Sequence, residues 1–545
     1  LRLLFALGSL LAAVPGSLNA AESKTEDDVV LRALVDELDR SIKDLVLSDL
    51  PRPYFVQLNA NERQMYSLSA AYGGLQRSNE NRSRSTGVRI RVGSYELDNT
   101  NFRRAFGQAG NLALDDEYPA LRHAIWLLLD QDYKQAVETL AQKIAYMKDK
   151  TIEDRPDDFS TAPSTTALEP RGSIAFDRQL WEKNIQQLSD RFSSYPMIHD
   201  ADVTLFAGAV TEWIVNSEGS RVRIGDSGIH IQINARLQAD DGMPLADSVV
   251  YLGERPDQLP PLAKMLSDVE EMCTRLIALA AAPVLEQYTG PVLFDAKAAG
   301  VAFESLLSNR LCARPTPLGG GEDDSFEKKI GLRILPRSFQ IYDDPGPQFF
   351  EDTILAGAYR YDDEAVKPSK ISLVEKGILK TLLAGRAPTR KVKQSTGHGR
   401  SSGFGDPRAN IGCLYIQDDN GVGDEELKQE LIQAARDEGL PYGLRIKALE
   451  EGAEGELGDP VYAFKVHVED GREELVRGLS FRPVEPSSMK RILAGGKNRR
   501  VYNSIAATSA SVISPAVVFE ELELRKAETE FDTLPILKSP ATRGK

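Results

Sequence analysis

The sequence predicts an α+β fold: an N-terminal half of antiparallel sheet and long helices, followed by a β-rich C-terminal half of strands and loops. Three observations carry this. Residues 25–49 and 119–149 repeat apolar side chains at three-to-four spacing, the mark of amphipathic helices. The runs 54–58, 64–68 and 88–92 alternate with period two, as half-buried strands do. Beyond residue 325 short alternating runs and turn residues dominate to about 525.

In the first helix Leu31, Leu34, Val35, Leu38, Ile42 and Leu45 share a face, and Pro51 and Pro53 stop the chain from continuing. The polar stretch 76–86 reads as a loop between strands. Ile125, Leu128, Tyr133, Ala136, Leu140 and Ile144 fall on one face of the second helix. Residues 150–175 are rich in Pro, Asp, Ser and Thr and read as a loop, and a helix is expected over 176–193. Strands are expected over 203–215 and 229–237, with a turn at Asn216-Ser217-Glu218-Gly219. Helices follow over 260–288 and 296–311. The run from Pro315 to Asp324, with three consecutive glycines, is the expected domain boundary, and acidic, Gly-rich 449–459 reads as a solvated loop. The expected division is a leader over 1–22, an N-terminal α+β domain over 23–315 with an internal break near 150–175, a β-rich domain over 325–530, and a tail over 531–545.

Length and composition set further bounds. A chain of 545 residues holds two to four domains at roughly 100–200 residues each. Lys and Arg total 66 against 81 Asp and Glu, for a net charge of −15. That charge opposes non-specific approach to nucleic acid. Five His and three Cys exclude a Cys-rich zinc module, and Cys273, Cys312 and Cys413 permit at most one disulfide. Residues 1–22 place Arg2 before a mostly apolar stretch, then Pro15, Gly16 and small residues at Ala20 and Ala21. This is the anatomy of a cleaved secretory leader, too short to span a membrane. The expectation is an exported protein, periplasmic or extracellular, with no stable membrane span after cleavage.

The search for chemistry begins with metals. No H-E-x-x-H helix is present, and His123, His199, His230, His398 and His467 stand isolated. Neither a G-x-S-x-G elbow nor a phosphate-binding loop occurs. Ser487 and Lys490 fit S-x-x-K without its companion motifs. The acids Asp343-Asp344 and Asp362-Asp363-Glu364 suit acid/base work or a hard cation, but turn chemistry explains them more simply. The basic run Arg386, Arg390, Lys391 and Lys393 leads into Ser395-Thr396-Gly397-His398-Gly399-Arg400, where flanking glycines allow close backbone approach. The segment reads as an anionic or peptide-backbone site, or as an exposed loop.

The order of several stretches resembles the TldD/PmbA (TldE) peptidase family. They are Tyr361-Asp362-Asp363-Glu364, Ile371 to Lys380, Leu383 to Arg386, Ser395 to Arg400, and Pro407-Arg408-Ala409-Asn410. Asn216-Ser217-Glu218-Gly219 and Gly290-Pro291-Val292-Leu293 through Gly300 are also similar to family segments. The resemblance is clear over about 200–460 and loose before it. It implies a zinc helix carrying H-E-x-x-x-H and a Cys near the C-terminus in active members.

This chain departs from that pattern. Its helix reads Ala298 to Ser308, with Glu304 the only surviving carboxylate and both His gone, and Ala506 to Ser511 lacks the Cys. Apolar Phe303, Leu306 and Leu307 suit a packed face. Without a Lewis acid this hydrolysis has no activated water. The resemblance therefore implies the metal-free, TldE-like side of the family: no zinc, no confident catalytic residue, and a peptide-binding surface at Thr396, Gly397, His398, Gly399 and Arg400. The implied partners are an extended peptide and a second copy or a zinc-bearing paralogue. Two other readings stay open: a hydrolase with another site, using Ser487 and Lys490 or scattered ligands such as Glu304, His398 and Cys413, and a non-enzymatic envelope scaffold.

Overall fold

The computed structural model describes residues 28–527 except 48, 104–106, 149, 151–153, 319–324, 453–454 and 506–507, together with 537 and 540. The leader 1–22, the glycine run 319–321, Ala506, Ala507 and most of the tail lie outside the described residues. No described helix is long and apolar enough to cross a membrane.

Two sheets organise the chain. The first has seven strands, in the order Gln108–Asn111, Gly74–Val92, Pro53–Ala71, Asp200–Asn216, Arg221–Gln238 and Thr166–Leu168, with Pro244–Gly253 also paired to Arg221–Gln238. All its pairings are antiparallel except that of Thr166–Leu168. Strand side chains alternate between faces, so parity assigns the layers. Val56, Leu58, Ala60, Leu68 and Ala70 are even-numbered, and all are buried under helices. Helices Val29–Asp44 and Tyr118–Lys148 cover one end of that face, and Arg178–Asp190 and Leu262–Ala281 cover the other. Asp28 fixes the entry of the first helix. Its carboxylate caps the amide of Leu31 at 3.1 Å and accepts from Trp213 Nε1 of the sheet at 2.9 Å.

The second sheet has eleven strands. Its spine is Ala510–Lys526, which pairs in parallel with Cys413–Asp418 and antiparallel with Ile492–Ser504, Leu479–Phe481 and Gln287–Phe294. Helix Ala296–Leu307 buries Phe303, Leu306 and Leu307 in the core beneath this sheet.

Four sequence expectations change here. The polar stretch 76–86 is not a loop but part of strand Gly74–Val92, in register with Pro53–Ala71. Its outer half is exposed on both faces, so no apolar alternation marks it. A helix over Asp424–Asp437 interrupts the expected run of strands, burying Leu427, Leu431, Ile432 and Ala435. The expected helix over 260–288 ends at Ala281, and Gln287–Phe294 is a strand of the second sheet. Strand and following helix thus join the second unit ahead of the glycine run, because the spine strand needs 287–294 as its neighbour. Finally, the first sheet takes strands from both sides of 150–175, so that segment links parts of one sheet and does not divide two subdomains.

The opposite face of the first sheet, which carries the odd-numbered residues of Pro53–Ala71 and by register the even-numbered ones of Asp200–Asn216 and Arg221–Gln238, meets the second unit. Gln57 Nε2 donates to Asp363 O at 2.8 Å, and Ile214, Val222 and Ile224 pack with Ala365. At the centre lies Arg386, fully buried. Its Nε and Nη2 donate to Ser160 O at 3.0 and 2.7 Å, and Nη2 also reaches Glu218 Oε1 at 2.7 Å. The guanidinium lies 4.0 Å from the Phe159 ring centroid and 4.9 Å from that of Phe55. Removing one partner of a buried charged pair leaves the other unpaired. Arg386→Met is therefore expected to destabilise the fold by roughly 3–5 kcal/mol. Thermal unfolding and proteolysis of segment 150–175 would check this; an unchanged melting curve with unchanged protection would refute it.

Candidate functional site

The acidic triplet and the glycine loop build one wall of the site. Asp362 is fully buried, and its Oδ1 accepts from the amides of Glu364 and Val366 at 3.0 and 2.8 Å. Its Oδ2 accepts from Gly399 N at 2.9 Å. Glu364 Oε2 accepts from Arg386 N at 2.7 Å. Burial, then repulsion from Glu364, holds the Asp362 carboxyl well above the usual range. Burial also raises Glu364, against the opposing pull of Arg386. These acids clamp backbone, as turn chemistry predicts, but from the interior and not from a solvated loop end. Gly399 is required at this spot: a Cβ there would lie 2.2 Å from Glu364 Oε2. Gly397 adopts φ +76°, where other residues are strained.

His398 is not a surface contact. It is fully buried, with Nε2 3.1 Å from Asp343 Oδ1 and Nδ1 3.0 Å from Thr396 O. Asp343 also accepts from Gly412 N and Cys413 N, at 3.1 and 3.3 Å. Thr396 Oγ1 accepts from Ala384 N at 2.8 Å. Of the five expected peptide contacts, Gly397, His398 and Gly399 are buried structural residues and Thr396 is spent on the loop. Arg400 is part-buried, with its guanidinium 4.2 Å from the Tyr359 ring centroid, and lines a cleft. The glycines looked like room for a ligand, but they are room for Glu364 and for a turn.

Arg400 sits directly across a short antiparallel pair from Arg408, so both point to one side. They line a cleft of about 520 Å³ together with Arg91, Arg103, Arg314 and Asp406. Arg314, Asn410 and Thr508 also line a second cleft of about 430 Å³, so the two adjoin. Glu304, Ser305, Ser308 and Asn309 of the helix and its end face this second cleft, opposite Glu451 and Tyr502. Tyr502 donates its hydroxyl to Glu451 Oε1 at 2.8 Å. Arg314 donates to Ala409 O at 3.0 Å and Asn410 Oδ1 at 2.7 Å.

Glu304 lies on a cleft wall. Arg314, Asn410, Glu451 and Tyr502 carry no motif of their own and were not singled out, although Arg408 and Asn410 stood within a recognised segment. Ser487 and Lys490 lie exposed on a short 3-10 turn, and no hydrogen bond joins them. Cys413 is buried, and burial raises its thiol further above neutrality.

The cleft lining decides whether zinc could be held here. It favours His nitrogen and Cys sulfur in a tetrahedron. The cleft offers carboxylate, hydroxyl and amide groups, and the positions five apart that face it are Glu304 and Asn309. Among the described residues no three His, Cys, Asp or Glu side chains gather to hold a metal ion. The residues present do not fit zinc.

Residues 287–526 match the PmbA/TldA metallopeptidase C-terminal domain. That match places residues 287–526 in the TldD/PmbA family. A metalloprotease of Methanocaldococcus jannaschii is 30% identical over 127 residues, covering 23% of this chain and 26% of that protein. A metalloprotease of Methanothermobacter thermautotrophicus is 26% identical over 210 residues, covering 37% and 43%. The chain therefore spans less than half the length of these curated relatives. Among solved structures, TldE from Thermococcus kodakarensis superposes with a TM-score of 0.58 at 14% identity, covering 90% of this chain and 99% of that one. A Thermotoga maritima protein named as a candidate modulator of a DNA gyrase gives 0.60 at 16%, covering 86% and 96%. Those likenesses extend the shared fold across both sheets.

Two buried acids near the site set a pH dependence. Burial pushes Asp132 up to about 7, and it pushes Glu212 up to about 7 with help from the Asp363 charge. Each keeps its proton in the folded state after the unfolded chain has lost it. Each therefore lowers stability as pH rises from about 4 to about 7, with no further change above. Asp132→Asn and Glu212→Gln should each be more stable than the parent at pH 8, by on the order of 2–4 kcal/mol, with the gap closing toward pH 4. Urea unfolding at several pH values measures that gap; one that stays constant with pH would contradict the assignment.

Proposed function

We propose that this protein is a peptide-binding member of the TldD/PmbA family that supplies no zinc of its own and acts in proteolysis beside a zinc-bearing relative. The observation that carries the reading is the composition of the Glu304 cleft. It opens beside the helix the family uses for metal, yet presents Glu304, Asn309, Arg314, Asn410 and Tyr502, groups suited to hydrogen bonding. An extended peptide offers an N–H donor and a C=O acceptor at each residue. Carboxylate and amide oxygens serve the donors, and guanidinium and amide N–H groups serve the acceptors. Recognition of main chain in this way holds many sequences without a specific side chain. The leader-like residues 1–22 support an exported protein, periplasmic or extracellular, so the proposed relative is sought there. In the proposed pair one chain holds peptide and the other activates water.

The test joins metal analysis to peptide assays. Full-length protein purified with zinc present and without chelator should hold no stoichiometric metal. It should retain a short unstructured peptide without cutting it, and Glu304→Ala should weaken retention several-fold. Stoichiometric zinc together with cleavage that Glu304→Ala abolishes would overturn the proposal and make this chain a hydrolase in its own right.

A further inference from the structure

The larger of the two adjoining clefts inverts the charge of the molecule. The chain carries −15 overall. Yet Arg91, Arg103, Arg314, Arg400 and Arg408 line this cleft, and among the described residues Asp406 is the one acid in its lining. Arg91 is neutralised by buried Asp98 at 2.8 Å. The others are not comparably paired. Arg400 Nε stands 3.8 Å from Asp363 Oδ1, and its Nη1 is buried with no hydrogen-bond partner. Arg314 spends its donors on the neutral oxygens of Ala409 and Asn410. Arg103 and Arg408 form no ion pair with any described residue. Behind them, Arg89 leaves Nε and Nη1 without partners in a small cavity of about 30 Å³ that shares Arg91, Thr100 and Asp406 with the cleft.

Guanidinium groups gathered this closely repel one another, and a buried N–H without an acceptor is costly. An oxyanion relieves both, and the planar fork of Arg fits a carboxylate with two parallel hydrogen bonds. The neighbourhood selects the kind of anion. The arginine cleft continues from the Glu304 cleft through Arg314, Asn410 and Thr508. A chain lying past Glu304 would run straight into the arginines.

We infer that the arginine cleft binds a carboxylate of the extended peptide, either its C-terminus or an acidic side chain. This rests on the peptide-binding reading and adds a charge requirement to it. Arg408, which lines the arginine cleft and not the Glu304 cleft, is the residue to probe. Arg408 is exposed and unpaired, so its replacement leaves the interior intact.

The experiment uses the full chain and four fluorescent peptides of one otherwise neutral sequence, read by anisotropy. Two end in a free carboxylate and two in an amide, and one of each pair carries an internal Glu. The expected result is that peptides bearing a carboxylate bind roughly tenfold or more tightly than the neutral amide. Arg408→Gln should erase that advantage and leave neutral binding unchanged, with melting curves confirming the fold. A gain from the free C-terminus alone assigns the site to the chain end, and an equal gain from internal Glu assigns it to an acidic side chain. Equal affinity for all four overturns the inference while leaving the peptide reading in place. No binding by any of them overturns both.

Discussion

Arg386 is held at the meeting point of the two sheets, and much of the site follows from that placement. Its amide is fixed by Glu364, its guanidinium by Ser160 and Glu218, and its charge lies against Phe159 and Phe55. A buried guanidinium tolerates little displacement, because each lost donor contact leaves an uncompensated charge. The position of Arg386 therefore fixes Glu364. Glu364 in turn abuts Gly399, which Asp362 holds by its amide. The loop that ends in Arg400 is thus anchored to the first sheet through three consecutive buried contacts. The turn at Asn216 to Gly219 and the basic run, distant in sequence, are two sides of this one joint.

That chain of contacts explains which parts of the site were legible. Helices Val29–Asp44 and Tyr118–Lys148 announced themselves because each buries one face, and burial writes periodicity into sequence. Strand Gly74–Val92 did not, because its outer half is exposed on both faces and needs no apolar side chains. The helix Asp424–Asp437 was readable and overlooked: three acids open it and Leu427, Leu431 and Ala435 repeat at helical spacing. His398 shows a deeper limit. A histidine between glycines reads as exposed, and only the fold reveals that Asp343, seventy residues from Cys413 in sequence, lies against it. The arginine cleft was hidden for the same reason. Arg91, Arg314 and Arg408 come from separate segments, and no spacing rule joins them.

The helix Ala296–Leu307 separates architecture from chemistry. It is held in place by Ala298, Ala299, Phe303, Leu306 and Leu307, all buried beneath the second sheet. Its cleft-facing positions, Glu304 and Asn309, contribute little to that packing. Residues there can change from metal ligands to hydrogen-bonding groups without loss of the helix. The same holds for the far wall, where Tyr502 and Glu451 satisfy each other at the rim. A fold built this way preserves a cleft of fixed shape while the groups at its surface decide what is done there. The family's peptidase architecture and this chain's unfitness for zinc are therefore compatible consequences of one packing scheme, since the core that defines the cleft lies behind the residues that would define the reaction.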